Sequence, residues 1–229
     1  MTTAIKICGV NSPVALDAVV RARADYAGFV LFPPSPRHIS PEVAADFVRR
    51  LPPGMASVVL TVDADDALLD IVRDQVRPDF VQAHGKENPG RIAEMAARTG
   101  AKIIKALPIA SRADLTSVGP YGAVADMLMF DAKPPKGADR PGGHGQAFDW
   151  QILRGYKPPR PWLLAGGLEP GNVGEAIVTS GAKCVDVSSG VERQSGVKDA
   201  DLITEFVVAV RDTSYTRRGT EDDLKKDHQ

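Results

Sequence analysis

Short apolar runs alternate with amphipathic segments along almost the whole chain, and this alternation limits the folds that it can adopt. The apolar runs are rich in Val, Ile, Leu or Phe, and their length is typical of buried parallel strands. Eight strands are predicted, at residues 4–8, 26–32, 57–62, 80–83, 102–107, 127–131, 162–165 and 183–188.

Helical periodicity fills most of the intervals between these strands. Three of the helices begin with a capping side chain that precedes a proline, at Ser12, Ser40 and Asn88. The predicted helices are residues 13–24, 41–51, 65–76, 89–99, 170–180 and 199–210, with weaker, short helices at 111–118 and 149–155.

A strand followed by a helix, repeated eight times, predicts an α/β protein with the (β/α)8 TIM-barrel fold. The 229 residues suit one such domain, which typically has roughly 200–250 residues. A doubly wound sheet usually has fewer strands and a glycine-rich turn after its first strand, whereas here the glycine-rich segments come late. We predict one barrel domain over residues 1–211, a long loop over the site at 132–148, and a polar, frayed tail at 212–229.

Composition narrows the range of partners. Lys and Arg number 28 against 29 Asp and Glu, so charge gives no reason to expect nucleic acid or an anionic membrane. The two cysteines suit free thiols in a reducing compartment, and no targeting or membrane-spanning pattern is present, so we expect a cytoplasmic protein. A closed barrel exposes no strand edge, which favours a monomer.

The catalytic groups of such barrels project from the carboxyl ends of the strands. The polar or conformationally special residues at these ends are Cys8, Arg37, His84, Asp131, Gly166-Gly167 and Ser188-Ser189-Gly190.

The last two groups of residues predict a phosphate site. Barrels often bind phosphate in the loops after strands seven and eight, through backbone N–H groups. Gly166 and Gly167 allow the backbone to approach an anion closely, and Ser188, Ser189 and Gly190 offer hydroxyl and backbone donors. Either segment alone also fits an ordinary turn, but their joint occurrence at the two expected strand ends favours phosphate.

Strand alternation places Lys6 and Cys8 on the inner face of the first strand. A thiol beside a cation can ionise near neutral pH and act as a base, although a small buried hydrophobe fits the position equally well. Asp186 shares a face with Ser188 and is expected to point into the barrel near the site. Cys184 begins its strand at the opposite end, and we interpret it as structural.

Asp131 and His84 are the remaining candidates. A carboxylate at the rim of an apolar strand needs a partner or a function, and Asp131 does not precede a good helix start, which favours an acid role. His84 fits a base, a metal ligand or a structural residue. The chain lacks the paired ligand spacing of zinc sites, so we predict no metal, and a supporting role for His84 stays open.

Six motifs resemble phosphoribosylanthranilate isomerase and occur in the order of that family, from residue 5 to about residue 210. They are residues 5–10 (IKICGV), 28–40 (GFVLFPPSPRHIS), 81–85 (VQAHG), 142–150 (GGHGQAFDW), 164–173 (LAGGLEPGNV) and 185–199 (VDVSSGVERQSGVKD).

This resemblance implies a cofactor-free isomerase of tryptophan biosynthesis, which converts N-(5-phosphoribosyl)anthranilate to a 1-deoxyribulose 5-phosphate product by an Amadori rearrangement. Cys8 would be the general base and Asp131 the general acid. Arg37 would hold the anthranilate carboxylate, for which a planar guanidinium is suited, and His84 and Asp186 would also contact the substrate. The phosphate would lie against the two glycine-containing loops.

The chain departs from the family pattern at Ala83 in place of leucine, His144 in place of threonine, Thr61-Val62-Asp63 and Ser195-Gly196. None of these changes removes a proposed site residue. Two alternatives remain: another sugar-phosphate isomerase barrel, of the histidine-pathway type, and a non-catalytic barrel that binds a phosphorylated ligand. The first usually shows a half-barrel repeat and an aspartate at the end of strand one, where this chain has Cys8.

Overall fold

Eight parallel strands close into a barrel in the computed structural model of the protein, which describes residues 2–133 and 148–226, and side chains as far as residue 213. Each strand pairs with its neighbours in sequence, and β8 pairs with β1 to complete the ring. The predicted TIM barrel is confirmed. The strands are β1 (Ala4–Cys8), β2 (Tyr26–Val30), β3 (Ala56–Thr61), β4 (Phe80–Ala83), β5 (Lys102–Ile109), β6 (Met127–Ala132), β7 (Trp162–Leu164) and β8 (Cys184–Val187).

Helices cover the outside of the barrel. The α-helices in the described parts of the chain are α1 (Pro13–Ala22), α2 (Pro41–Arg50), α3 (Asp66–Ile71), α4 (Pro89–Thr99), α5 (Val173–Ser180) and α6 (Ala200–Lys226). A π-helical turn, Val72–Val76, continues α3, and short 3₁₀ segments follow β5, β6 and β8. The predicted caps are confirmed, because Ser12, Ser40 and Asn88 each accept a hydrogen bond from the backbone N–H three residues on.

The core has two layers, as strand alternation predicts. Ile5 and Ile7 of β1 pack outward against the helices, whereas Lys6 points into the barrel. Cys184 lies in the inner layer, where burial raises the pKa of its thiol, in agreement with a structural role. The inner apolar layer consists of Val58, Phe80, Ile104, Ala106, Met129, Leu163, Ala165 and Cys184.

The carboxyl-terminal part differs from the prediction in two places. A two-stranded antiparallel hairpin, β9 (Glu192–Gln194) and β10 (Val197–Lys198), follows β8 and was not predicted. Helix α6 continues past Val210, where we expected it to end, because no proline or glycine occurs before Gly219 to stop it. That the tail frays stays a prediction.

Most of the predicted loop at 132–148, with His144, lies outside the described residues. Among the residues that are described, no helix has the length and apolar character required to cross a membrane.

Candidate active site

One half of the barrel mouth is built around Cys8 at the end of β1. The ammonium of Lys6, fully buried, donates a hydrogen bond to Asp186 Oδ1 of β8 at 2.6 Å. Gly28 of β2 makes room for the Cys8 thiol and the Lys6 ammonium, since a Cβ there would lie 3.1 Å from Cys8 Sγ and 3.2 Å from Lys6 Nζ. The thiol, the ammonium and the carboxylate therefore form one buried cluster, with Cys8 and Asp186 both at the predicted end of the barrel.

The electrostatics of this cluster bear on the two readings of Cys8 that the sequence left open, an ionisable thiol and a small buried residue. Burial raises the pKa of the Cys8 thiol, and the neighbouring Lys6 only partly offsets that effect, so the pKa lies above its ordinary value. Burial alone would lower the pKa of Lys6, but the interactions with Asp186 and Cys8 outweigh this effect and raise the pKa above its ordinary value. In the free protein burial thus favours the neutral thiol over the thiolate, beside the Lys6 ammonium.

Arg37 lies above Cys8, in the loop between β2 and α2. Its guanidinium makes a two-pronged ion pair with Glu192, with Nε–Oε1 at 2.7 Å and Nη2–Oε2 at 2.8 Å. Its stem crosses Gly9, where a Cβ would approach Arg37 Cδ at 2.5 Å. Gly9 also has a φ of +77°, so both the turn and the passage of the arginine require glycine.

The β9–β10 hairpin supplies the partner of Arg37. Lys198 Nζ, fully buried, donates to Glu192 Oε1 at 2.7 Å and to the carbonyl oxygen of Ser188 at 2.9 Å. Burial raises the pKa of the Glu192 carboxyl, but Arg37 and Lys198 outweigh it and hold the pKa below its usual value. Glu192 is therefore a carboxylate between two cations, and it fixes the direction in which Arg37 points.

The other half of the mouth contains the histidine and the second carboxylate. His84 Nε2 lies 3.1 Å from Asp131 Oδ2, and Asp131 Oδ1 accepts from the N–H of Ala132 at 2.8 Å. His84 Nδ1 lies 2.8 Å from Nε2 of Gln82, the preceding inward-facing residue of β4. His84 thus lies between Gln82 and Asp131 and contacts both.

The two predicted phosphate loops lie side by side. Gly166 and Gly167 have φ values of +88° and +64°, a region in which side chains are disfavoured. A Cβ at Gly166 would approach Asp131 Oδ1 at 2.9 Å, and one at Gly190 would collide with the carbonyl oxygen of Leu168. Glycine is therefore required where the loop after β7 meets β6 and the loop after β8.

The serines of the second loop play different parts. Ser188 Oγ donates to the carbonyl oxygen of Cys8 at 3.1 Å, so the hydroxyl that the sequence assigned to phosphate is engaged within the protein. Ser189 and Gly190 belong to a 3₁₀ turn, Ser189–Val191, of which Ser189 and Gly190 are partly exposed.

Sequence reasoning missed three polar residues of the site: Gln82, Glu192 and Lys198. Gln82 had a detectable signal, because a polar residue at an inward-facing position of a short buried strand needs a partner. Glu192 and Lys198 flank Gly196, whose φ of +82° suits the turn of a hairpin. That pattern was present in the sequence, but it was not used.

A further buried ion pair lies just outside the barrel, beneath the loop that carries His84. Lys105 Nζ donates to Glu87 Oε2 at 2.7 Å and to the carbonyl oxygen of Gly85 at 2.7 Å, and both side chains are 2% exposed. Glu87 also accepts from the backbone N–H groups of Asp63 and Gly85. The pair therefore holds the loops after β3 and β4 together.

Comparison with known proteins gives a consistent answer. The pattern of the N-(5'phosphoribosyl)anthranilate (PRA) isomerase family matches residues 5–209. The N-(5'-phosphoribosyl)anthranilate isomerase of Rhodospirillum rubrum is 53% identical over 214 residues, 92% of this chain and 98% of that protein. The phosphoribosyl anthranilate isomerase of Thermotoga maritima superposes on this chain with a TM-score of 0.81 at 34% identity. A phosphoribosyl anthranilate isomerase structure solved with reduced 1-(o-carboxyphenylamino)-1-deoxyribulose 5-phosphate superposes with a TM-score of 0.78 at 32% identity. Each alignment covers 92% of this chain and 98% of the other chain. The chain belongs to the N-(5'-phosphoribosyl)anthranilate isomerase family.

Proposed function

We propose that this isomerase carries out the reaction for which its family is named, in tryptophan biosynthesis, with Asp131 as general acid and Cys8 as general base. The observation that carries the proposal is the placement of these two groups. Cys8 ends β1 and Asp131 lies near the end of β6, so they face the same mouth from different sides of one barrel. An acid and a base so placed act on two different atoms of one sugar without a cofactor.

The acid step opens the ring. Asp131 donates its proton to the furanose oxygen, the bond from that oxygen to C1 breaks, and the nitrogen lone pair forms a cationic Schiff base at C1. The N–H of Ala132, and Nε2 of His84 when it carries the ring proton, then face the carboxylate that forms on Asp131. Such donors stabilise charge that develops in the transition state.

The base step moves the C2 proton. The Cys8 thiolate takes this proton, and the C2–H electrons form a C1–C2 double bond while the Schiff-base cation is neutralised. The resulting enol loses its hydroxyl proton to water and gains one from water at C1, which gives a ketone isomeric with the substrate, and proton exchange with water restores the Cys8 thiolate and the Asp131 acid. The raised pKa of Cys8 leaves little thiolate in the free enzyme, but a cationic Schiff base beside it favours the ionised form.

Both ends of the substrate are anionic, and each needs hydrogen-bond donors from the site. The anthranilate carboxylate meets the edge of Arg37 that Glu192 does not occupy. The phosphate meets backbone N–H groups of Gly166, Gly167, Ser188, Ser189 and Gly190, and Asp186 contacts the sugar. A relative has been solved with a reduced form of the ketose product, which carries both the carboxylate and the phosphate that this arrangement requires.

The test is a fluorescence assay on freshly prepared phosphoribosylanthranilate. We expect turnover to the deoxyribulose product by the wild-type protein. We expect none by Cys8→Ser or Asp131→Asn, although both variants should still bind the reduced product. Cys184→Ser is the matched control, because Cys184 is also buried but lies at the other end of the barrel, and it should stay active.

The outcomes distinguish a wrong assignment of the acid and the base from a different function of the protein. Activity in both Cys8→Ser and Asp131→Asn would show that the acid and base assignments are wrong. No turnover by a folded wild-type protein with intact substrate would instead favour an altered substrate or a non-catalytic barrel that binds a phosphorylated ligand.

A further inference from the structure

Gln82 occupies an unusual position on the inner face of β4. Its side chain is fully buried, and its amide nitrogen lies 2.8 Å from His84 Nδ1 and 3.4 Å from Met129 Sδ. Its amide oxygen has no hydrogen-bond partner among the residues that the structure describes. A buried polar group of this kind calls for an explanation, because an unpaired acceptor costs free energy.

The surroundings of the amide favour this orientation over its reverse. As oriented, one N–H meets the lone pair of His84 Nδ1 and the other meets the thioether sulfur of Met129, a weak acceptor. Reversal would place the oxygen against the sulfur and put the amide nitrogen where the oxygen now has no hydrogen-bond partner among the described residues. An unpaired carbonyl oxygen is tolerated more readily than an unpaired buried N–H.

The orientation of Gln82 fixes the tautomer of His84. An amide nitrogen can only donate, so Nδ1 must accept and the ring proton lies on Nε2. That N–H points at Asp131 Oδ2, 3.1 Å away. The opposite tautomer would turn a lone pair toward the carboxylate that forms when Asp131 gives up its proton.

We propose that Gln82 is a positioning residue for catalysis, which acts through His84 on Asp131. It holds His84 as the Nε2–H tautomer, so that the imidazole donates to the Asp131 carboxylate at the moment the ring oxygen is protonated. The proposal rests on the proposed function of Asp131 as general acid. It deepens that function by assigning the general acid Asp131 a hydrogen-bond donor, His84, whose tautomer is set by a third residue.

The contacts that link Gln82, His84 and Asp131 run from the β4 side of the barrel to β6 across one strand. Gln82 and His84 belong to the β4 side, whereas Met129 and Asp131 belong to β6, with β5 between them. The inward-facing residue of β5 that pairs with Met129 is Ala106, whose methyl group leaves room above the sheet. A larger residue at that position would separate the two side chains.

Two substitutions test the proposal because they keep the length of Gln82 and change its hydrogen bonding. Gln82→Met removes the N–H donor, and Gln82→Glu replaces it with an acceptor. Met129→Leu is the matched control, since it removes the sulfur contact and leaves the contact with His84. Nitrogen NMR of the imidazole rings reports the tautomer, with His84→Gln identifying its signals among the four histidines.

We expect the wild-type protein and Met129→Leu to hold the His84 proton on Nε2. In Gln82→Met both tautomers should appear, and in Gln82→Glu the proton should move to Nδ1. The kcat should fall roughly ten-fold in Gln82→Met and further in Gln82→Glu, with KM unchanged, because the lost interaction acts in the transition state.

Other results would overturn the proposal. A proton on Nδ1 in the wild-type protein would do so without any variant, and so would a Gln82→Met protein that keeps both the Nε2 tautomer and the wild-type kcat. These results differ from failure of the proposed function, which would appear as activity in Asp131→Asn and would leave the tautomer measurement untouched.

Discussion

Arg37 and Glu192 meet edge to edge, so that the Nε and Nη2 atoms of the guanidinium are paired with the two oxygens of the carboxylate. The pairing occupies one edge of a planar group that has another edge at Nη1 and Nη2. Because the side chains of Arg37 and Glu192 are 6% and 3% exposed, water screens the pair little. Glu192 thus orients Arg37 and leaves Nη1 outside this pairing.

Glu192→Gln should weaken substrate binding and destabilise the fold. The change leaves the buried cations Arg37 and Lys198 without their shared carboxylate, and breaking a buried pair in this way typically costs roughly 3–5 kcal/mol. We expect a lower free energy of unfolding in urea and a higher KM, with a smaller effect on kcat. Gln194→Ala, on the exposed part of the same hairpin, should change neither, and an unchanged KM in Glu192→Gln would contradict the orienting role.

The Cys8 thiol should ionise only in alkaline solution. Its pKa is raised from the ordinary value of 9.0, because burial outweighs the nearby ammonium of Lys6. The neutral thiol is favoured below the raised pKa, so the thiolate fraction, and kcat/KM with it, should rise with pH through the neutral range. The difference in thiolate absorbance between wild type and Cys8→Ser measures this ionisation directly. A midpoint below 9.0 would show that Lys6 outweighs burial.

Gly9→Ala should displace Arg37 and so raise KM. The new methyl group would adopt a disfavoured φ of +77° and would collide with the stem of the arginine. Gly100→Ala is the control, because Gly100 has a similar φ of +68° and no atom lies within 4 Å of the position of its Cβ. Both variants should lose about 1 kcal/mol of stability from backbone strain. Only Gly9→Ala should bind substrate more weakly, and equal KM values would rule out the steric argument.

Much of the site was predictable because the fold brings strand ends together. Once eight strands were recognised, Cys8, His84 and Asp131 had to lie at one end of the barrel, and period-two alternation placed Lys6 and Cys8 inside. These positions follow from backbone geometry alone. The confirmed caps at Ser12, Ser40 and Asn88 have the same origin, because each depends on residues that are neighbours in sequence.

The partners of these residues were not predictable in the same way. Glu192 is 155 positions from Arg37, and Asp186 is 180 positions from Lys6. Which side chains meet over such separations depends on register and rotamer, which sequence periodicity does not fix. The ionisation of Cys8 stayed open for this reason, since the sequence shows that a lysine is near but not how deeply both are buried.

The buried pair of Lys105 and Glu87 should stabilise the loop that carries His84 without taking part in the reaction. Glu87→Gln removes the charge opposite a 2% exposed ammonium, so we expect a loss of roughly 3–5 kcal/mol in the free energy of unfolding. Asp46→Asn is the control, because Asp46 pairs with Arg49 at the surface, where an ion pair contributes about 0–1 kcal/mol. Glu87 also accepts hydrogen bonds from the backbone N–H groups of Asp63 and Gly85, which an apolar residue at position 87 would leave without an acceptor. Replacing both Lys105 and Glu87 with apolar residues should therefore not restore stability. Full recovery in Lys105→Met/Glu87→Leu would show that those backbone contacts contribute nothing.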